Sequence, residues 1–320
     1  MLGLCLLCGT AVQGQRKPII DMHLHSQELY VAPGAPEPLS AVPAAKSTGD
    51  LQERTLGALE KYNIVLAVTS GPRTEAYRVA SPERIITGLG PELLFGGGAE
   101  IDMLRTRFKT GSRNQVLAEF APQYLGLPAN APELEPYFAM AEELDVIVGI
   151  HLGLGPPGAA YSGFPKYRMA NSSPLLLEEV LIRHPKLRLY VMHAGWPFLD
   201  EMVGLLYAHP QVHVDIGVIN WVLPRAEFHK YLRRLVESGF ASRIMYGSDQ
   251  MQWPDAIRLS IEAIESAGFL TENQKRDILY NNAARFLRLT EHEIAEHNGR
   301  KAPRRSERTT LRGSSDRSPQ

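Results

Sequence analysis

Short apolar runs alternate with amphipathic stretches along most of this chain, and that alternation limits its possible folds more than any other feature. The runs are rich in β-branched and aromatic residues, as strands are, and several stretches between them have the periodicity of helices. The candidate strands are residues 18–26, 63–71, 84–90, 116–124, 146–152, 187–195, 212–218 and 243–249. Strands that alternate with helices pair in parallel, so these units predict an α/β fold, a closed (β/α)₈ TIM barrel over residues 17–290.

The spacing of the strands supports a barrel. His25 and His151 stand at the ends of the first and fifth candidate strands, 126 residues apart. Four units over this distance give about 31 residues each, which is the size of a βαβ step. A doubly wound sheet is the alternative, but it needs a glycine-rich phosphate loop after the first strand, and "HSQELYVAPGAP" is not such a loop.

The first candidate strand, "PIIDMHLHS", carries polar side chains at alternate positions. Strict alternation places Asp21, His23 and His25 together on one face and apolar residues on the other. A buried polar group without a partner costs on the order of 1–3 kcal/mol. The polar face is therefore expected either to meet water or to hold a ligand.

Three more strands end in residues that can bind a metal, namely His151, His193 and Asp249. The carboxyl ends of barrel strands converge on one mouth, so these side chains are expected to meet His23 and His25 there. Imidazoles with a carboxylate suit Zn²⁺ or a similar divalent ion. A catalytic zinc keeps a position for water and lowers the pKa of that water to near 7.

Four segments resemble signatures of the amidohydrolase superfamily: "DMHLHS", "GIHLG", "MHAGW" and "YGSD", from strands 1, 5, 6 and 8. The resemblance covers about residues 18–289. It is strongest to the branch that includes aminocarboxymuconate semialdehyde decarboxylase, resorcylate-type decarboxylases and several lactonases. The resemblance implies that His23, His25, His151 and Asp249 hold the metal. It also implies that His193 orients or deprotonates the attacking water, or stabilises the transition state.

Glu119 stands near the end of the fourth strand, where many binuclear relatives place a carboxylated lysine. Two roles are open for it. It can bridge a second metal ion, or it can hold a metal-binding histidine in place. One divalent ion is therefore expected, with a second as the alternative.

Three further residues are candidate substrate contacts because they follow strands at the mouth of the barrel. Trp196 and Arg168 lie on predicted loops, and Arg168 could grip a substrate carboxylate through its forked guanidinium. Surface solvation is the alternative for Arg168. Asp215 could line the same mouth or make a loop hydrogen bond.

The constellation predicts a metal-dependent hydrolase that acts on an amide, lactone or ester-like bond of a small molecule. Asp249 or His193 would shuttle the proton of the attacking water. One alternative is a nonoxidative decarboxylase of a small carboxylic acid on the same scaffold. The other is a non-catalytic barrel that binds metal without turnover.

Composition argues against a nucleic-acid partner, because the formal net charge is −1 and the sequence pI is about 6.8. No run is long enough to predict a membrane span. Residues 291–320 are rich in Lys and Arg and predict a disordered basic tail. Barrels of this class often pair, which makes a homodimer a candidate assembly.

The N-terminal run "MLGLCLLCGTAV" holds both cysteines and has the length of a signal-peptide apolar region. A signal peptide over residues 1–14 would send the protein to the periplasm or outside the cell. No Lys or Arg precedes the run, so a misassigned start and a cytoplasmic protein are the alternative.

Overall fold

The computed structural model describes residues 16–89, 98–111 and 115–299. The predicted signal peptide at residues 1–14 lies outside these ranges, as does the part of the predicted tail from residue 300 onward. Export and the character of those tail residues therefore stay predictions. None of the described helices is long and apolar enough to cross a membrane.

The predicted strands are present as parallel strands, most of them shorter than the apolar runs. They are β1 (Ile19–His25), β2 (Ile64–Ser70), β3 (Ile85–Thr87), β4 (Val116–Phe120), β5 (Ile147–His151), β6 (Leu189–Met192), β7 (His213–Asp215) and β8 (Ile244–Met245). They form one sheet of the first three strands and one of the other five, each in sequence order. Parallel bridges Gly88–Val116 and Leu24–Gln250 connect the two sheets. The predicted TIM barrel is confirmed.

Helices connect the strands and cover the sheet. They are α1 (Thr48–Lys61), α2 (Thr74–Ala80), α3 (Gly98–Thr110), α4 (Glu135–Glu143), α5 (Glu178–Arg183), α6 (Leu199–Ala208), α7 (Ile219–Val222), α8 (Arg225–Leu235), α9 (Ala256–Glu265), α10 (Glu272–Arg276), α11 (Asn282–Phe286) and α12 (Glu291–His297). Capping residues are present at the start of several helices. Thr271 and Gln274 form a capping box at the start of α10.

Two sequence predictions about irregular segments are wrong for the part of each segment that the structure describes. The stretch 91–112, which contains "FGGGAE", reads in the sequence as a mobile connection after the third strand, but α3 occupies Gly98–Thr110 and buries Leu104, while residues 91–97 and 112 lie outside the described residues. The tail was expected to be disordered from residue 291, but α12 occupies Glu291–His297. A capping box between Thr290 and Glu293 stabilises the first turn of α12, so a helix forms there although the segment is polar.

The interior of the barrel is filled by side chains from most of its strands. Ile20 and Met22 of β1 pack there with residues such as Val116 of β4 and Met245 of β8. The hydroxyl of Tyr190 in β6 donates a hydrogen bond to the carbonyl of Met22, at 2.9 Å. Because β1 and β6 are not neighbours, this bond crosses the interior and fixes the strands relative to each other.

The expected strict alternation along β1 is wrong. The pairing register with β2 shifts between Asp21 and Leu24, so Met22 and His23 both reach the interior side of the barrel. Asp21 does not join the histidines. Its carboxylate accepts hydrogen bonds from the backbone amides of His23 (3.0 Å) and Ser248 (2.9 Å), and burial raises its pKa to about 7. Asp21 therefore connects β1 to the segment after β8.

His213 in β7 gives a prediction about acid stability. Burial lowers the pKa of its imidazole from 6.5 to about 4, with the ring 4.5 Å from that of Phe286. The unfolded chain takes up a proton near pH 6.5, and the folded chain does so only near pH 4. The free energy of unfolding should therefore fall by about 2 kcal/mol over this interval on account of this group, after discounting for partial exposure.

Denaturant unfolding of His213→Phe at pH 7, 5.5 and 4 checks this, because Phe keeps the ring and removes the titration. The variant should lose less stability on acidification than the wild-type protein. His292→Gln, at an exposed position, should keep the wild-type profile. Identical profiles for His213→Phe and the wild-type protein would refute the prediction.

Candidate metal centre

The strand ends bring the predicted ligands to one point at the carboxyl end of the barrel. His23 and His25 come from β1, His151 ends β5, His193 directly follows β6, and Asp249 follows β8. All five side chains are buried. The convergence inferred from barrel geometry is therefore observed.

One triad of ligand atoms consists of His23, His25 and Asp249. The Nε2 atoms of the two histidines lie 3.2 Å apart. Oδ1 of Asp249 lies 3.0 Å from Nε2 of His25 and 3.5 Å from Nε2 of His23. This spacing is compact enough for three donors to share one cation.

A second triad consists of Glu119, His151 and His193. A third group of possible ligands, His23, His193 and Asp215, shares one histidine with each of these triads. Oε1 of Glu119 contacts Nδ1 of His151, and Nε2 of His193 lies 3.3 Å from that Nδ1 atom. His151 was expected to complete a four-residue set with His23, His25 and Asp249, but its ring lies in this second triad.

Glu119 lies between the two triads. Its Oε2 atom is 3.3 Å from Nε2 of His25, while Oε1 faces His151. The pairing of β4 with β5 shifts register between Leu117 and Phe120, which lets Glu119 reach the centre although neighbouring Ala118 also packs inside the barrel. The structure thus brings Glu119 to the position from which a carboxylate can serve both triads.

Three of the histidines are oriented through their Nδ1 atoms. Nδ1 of His23 lies 3.2 Å from Oδ2 of Asp215, and Nδ1 of His25 lies 3.3 Å from the hydroxyl of Ser70. Nδ1 of His193 lies 3.1 Å from the carbonyl of Gly217. These contacts leave each Nε2 atom directed at the centre. Groups that lie behind metal-binding histidines usually orient the rings in this way.

Asp215 thus lies behind His23, fully buried. The sequence offered two roles for it, a place in the lining of the mouth or a loop hydrogen bond, and the hydrogen bond is observed. Oδ1 accepts hydrogen bonds from the backbone amides of Gly217 (2.7 Å) and His193 (3.3 Å). Contact of Asp215 with substrate stays a prediction.

The charged groups of the centre shift one another's pKa values. Burial alone would raise the pKa of Asp249, but the imidazoles of His23, His25 and His193 outweigh it and lower that pKa. Glu119 behaves in the same way, with a pKa held well below its ordinary value, chiefly by His151. Burial lowers the pKa of His151 itself. Both carboxylates are therefore ionised, as metal binding requires.

The donor set fits a divalent cation. Oδ1 of Asp249, which faces the centre, is buried without a hydrogen-bond partner among the described residues. Such buried atoms are costly unless something else satisfies them. Imidazole nitrogens with carboxylate oxygens are ligands that zinc and similar metals accept.

Two glycines were not singled out from the sequence, although they make room for the centre. A Cβ atom at Gly217 would lie 3.0 Å from Cβ of Asp249, and one at Gly247 would lie 2.8 Å from Cβ of His23. Both glycines follow strands in motifs that read as strand ends, "VHVDIGV" and "YGSD". Their position directly after strand ends is visible in the sequence. The crowding that requires a glycine there is visible only in the tertiary contacts.

The other two candidate substrate contacts lie in loops after β5 and β6. Arg168 is exposed, and its guanidinium donates to the backbone carbonyls of Pro165 (2.9 Å) and Tyr167 (2.7 Å). The side chain of Trp196 is half-buried against the hydrophobic core, and its carbonyl accepts a hydrogen bond from the amide of Leu154. Contact of either residue with substrate stays a prediction.

Asp215→Asn should weaken metal binding by about 10–100-fold. The amide keeps the size of the side chain but removes the negative charge that faces Nδ1 of His23, so the ring loses its preferred orientation. Competition against a chromogenic chelator measures the affinity. Asp255→Asn, at a half-exposed position outside the centre, is the matched control, and equal affinities for both variants would contradict the orienting role.

The amidohydrolase family model matches residues 20–289 of this chain. The chain therefore belongs to the amidohydrolase family, a family of metal-dependent enzymes. The resemblance seen in the strand-end motifs is confirmed. Decarboxylases of the predicted branch are among the structural neighbours.

Several solved structures share this fold. An uncharacterized TIM-barrel protein from Bordetella bronchiseptica has a TM-score of 0.63 at 18% identity, covering 88% of this chain and 100% of its own. A probable 2-pyrone-4,6-dicarboxylic acid hydrolase from Acinetobacter baumannii has a TM-score of 0.58 at 15% identity, covering 84% and 98%. A 2,6-dihydroxybenzoate decarboxylase from Rhizobium has a TM-score of 0.57 at 14% identity, covering 85% and 99%. These likenesses show the fold.

A curated relative is also recognisable by sequence. The protein fluG of Emericella nidulans is 21% identical over 157 residues. The match covers 44% of this chain and 17% of fluG, so this chain corresponds to a small part of that relative's length.

Proposed function

We propose that this protein is a metal-dependent hydrolase that cleaves an amide, lactone or ester-like bond in a small molecule. The observation that carries the proposal is the meeting of two buried ligand triads at the barrel mouth, with Glu119 between them. A divalent cation held there would polarise a carbonyl group and lower the pKa of water. Zn²⁺ is the proposed ion, because imidazoles and carboxylates together suit it.

The residues of the chain then have separable roles. Asp249 is ionised, and because Oδ1 faces the first triad, its other oxygen, Oδ2, would accept the proton that the attacking water loses. With one cation bound to the first triad, His193 would act as the acid: its Nδ1 atom lies 3.1 Å from the carbonyl of Gly217, so Nε2, which faces the centre, is the atom that gives a proton to the leaving group. Burial alone would lower the pKa of His193, but Glu119 and Asp249 raise it and favour the proton-carrying form.

The test is a screen of metal-assayed protein against a panel of amides, lactones and aryl acids, with His193→Ala alongside. Turnover that depends on the metal and falls sharply in His193→Ala supports the proposal. Retained activity in that variant removes His193 from the mechanism. Tight metal uptake without turnover of any panel member would favour a non-catalytic barrel.

Nonoxidative decarboxylation is the second candidate, because a decarboxylase of 2,6-dihydroxybenzoate shares the fold. On this alternative the same centre would orient a substrate carboxylate. Analysis of the products separates the two reactions. Release of carbon dioxide without incorporation of oxygen from water would replace the hydrolase proposal with this one.

A further inference from the structure

Gln252 has a fully buried side chain that joins two segments at the mouth of the barrel. It lies in the segment after β8. Its Nε2 atom donates a hydrogen bond to the carbonyl of Glu28, and its Oε1 atom accepts one from the amide of Tyr30, each at 3.0 Å. The backbone carbonyl of Gln252 accepts a further bond from the amide of Ala45, at 2.9 Å. Glu28, Tyr30 and Ala45 all belong to the connection between β1 and α1, residues 27–46, which we call loop 1.

Loop 1 also has ordered structure of its own. The carboxylate of Glu37 accepts hydrogen bonds from the amide and the hydroxyl of Ser40, at 2.5 Å and 2.7 Å, and so closes the turn at its tip. Val42 belongs to a small apolar cluster with Trp253, which lies in the segment after β8. The indole nitrogen of Trp253 donates to the carbonyl of Ala35, at 3.3 Å. Loop 1 is therefore a folded unit, and the segment after β8 holds it at several points.

Loop 1 lies beside the first triad. The strand that precedes it, β1, ends at His25, and the segment that holds it also carries Asp249. Desolvation of the phenol, together with the charges of Asp249 and Glu119, raises the pKa of Tyr30 to about 12. These charges act on Tyr30 because the start of loop 1 is close to the metal centre. Loop 1 therefore borders the space in front of the first triad.

We propose that Gln252 is a positioning residue whose side-chain amide holds loop 1 in place as a wall of the substrate site. It thereby strengthens substrate binding and takes no part in metal binding or in the chemical step. The inference rests on the proposed function, which places the reacting substrate at the first triad. Without the amide, the carbonyl of Glu28 and the amide of Tyr30 lose their partner, and loop 1 opens more often. A substrate must then order loop 1 as it binds, which weakens its binding.

Hydrogen exchange of the metal-loaded protein tests how firmly loop 1 is held. Gln252→Met keeps a side chain of similar length and removes both side-chain hydrogen bonds to loop 1. Peptides that cover residues 27–34 should therefore exchange about tenfold faster than in the wild-type protein. The metal content should be unchanged, because no member of either triad lies in loop 1. With a panel substrate, KM should rise about tenfold while kcat stays within about twofold of the wild-type value.

Gln211→Met is the control, because Gln211 is partly exposed in the turn before β7, at the opposite end of the barrel. Its exchange, metal content and kinetic constants should equal those of the wild-type protein, and thermal unfolding of both variants shows whether the fold persists. Unchanged exchange of loop 1 in Gln252→Met would overturn the inference, and so would faster exchange that leaves KM unaltered or removes the metal. Faster exchange together with a wild-type protein that turns over no substrate would keep the hold of Gln252 on loop 1 and lose the proposed function. Hydrolysis by the wild-type protein with unchanged exchange in the variant would do the reverse.

Discussion

Asp249→Asn is expected to abolish most of the metal-dependent activity and to weaken metal binding by more than about 100-fold. Asp249 supplies the one carboxylate of the first triad, 3.0 Å from Nε2 of His25. Changes to groups that merely orient ligands cost about 10–100-fold in affinity, and loss of a ligand charge should cost more. An amide is neutral and cannot accept the proton of the attacking water. Both metal retention and turnover should therefore fall together.

The measurement is metal content after dialysis, followed by turnover of whichever panel substrate the wild-type protein accepts. Asp200→Asn makes the same chemical change at a side chain that is 92% exposed and should leave both values unaltered. Full metal content and full activity in Asp249→Asn would remove this residue from the site.

On the alternative in which Glu119 bridges a second ion, Glu119→Gln is expected to reduce the metal content from two ions per chain to one, with a loss of activity of about 100-fold or more. The wild-type carboxylate presents one oxygen to each triad, and the second triad has only two histidines besides it. The neutral amide cannot bridge two cations through two equivalent anionic oxygens. The first triad keeps all three of its own ligands in this variant.

Elemental analysis of protein saturated with Zn²⁺ and then freed of excess ion gives the count. Glu133→Gln, an exposed position, provides the control for the change of side chain. A single ion per wild-type chain at saturation rules out bridging and leaves Glu119 as a group that positions His151.

The strand order and the ligand types could be inferred from the sequence because each is local. A run such as "VIVGIHL" indicates by composition a buried strand that ends in a histidine, whatever surrounds it. Parallel pairing and closure then place His151 and His193 at one mouth by topology alone. The motifs carried the resemblance for the same reason, since they are short and contiguous.

The role of Glu119 could not be inferred with the same certainty. Strict alternation along β4 would place Glu119 on the opposite face from Ala118, which packs inside the barrel. The register shift between Leu117 and Phe120 changes this, and such shifts depend on how two strands pair. The same holds for Met22 and His23 in β1, where strict alternation is broken.

The sequence by itself determined the barrel, the mouth at which the site lies and the histidines and carboxylates that can hold a metal, because composition and periodicity act along the chain. Only the tertiary structure decided how those ligands divide into two triads, that Asp215 supports His23, and that Gln252 joins loop 1 to the segment after β8. These arrangements depend on the register of paired strands and on contacts between loops distant in sequence. Neither produces a periodic pattern of residues, so neither could be predicted from the sequence.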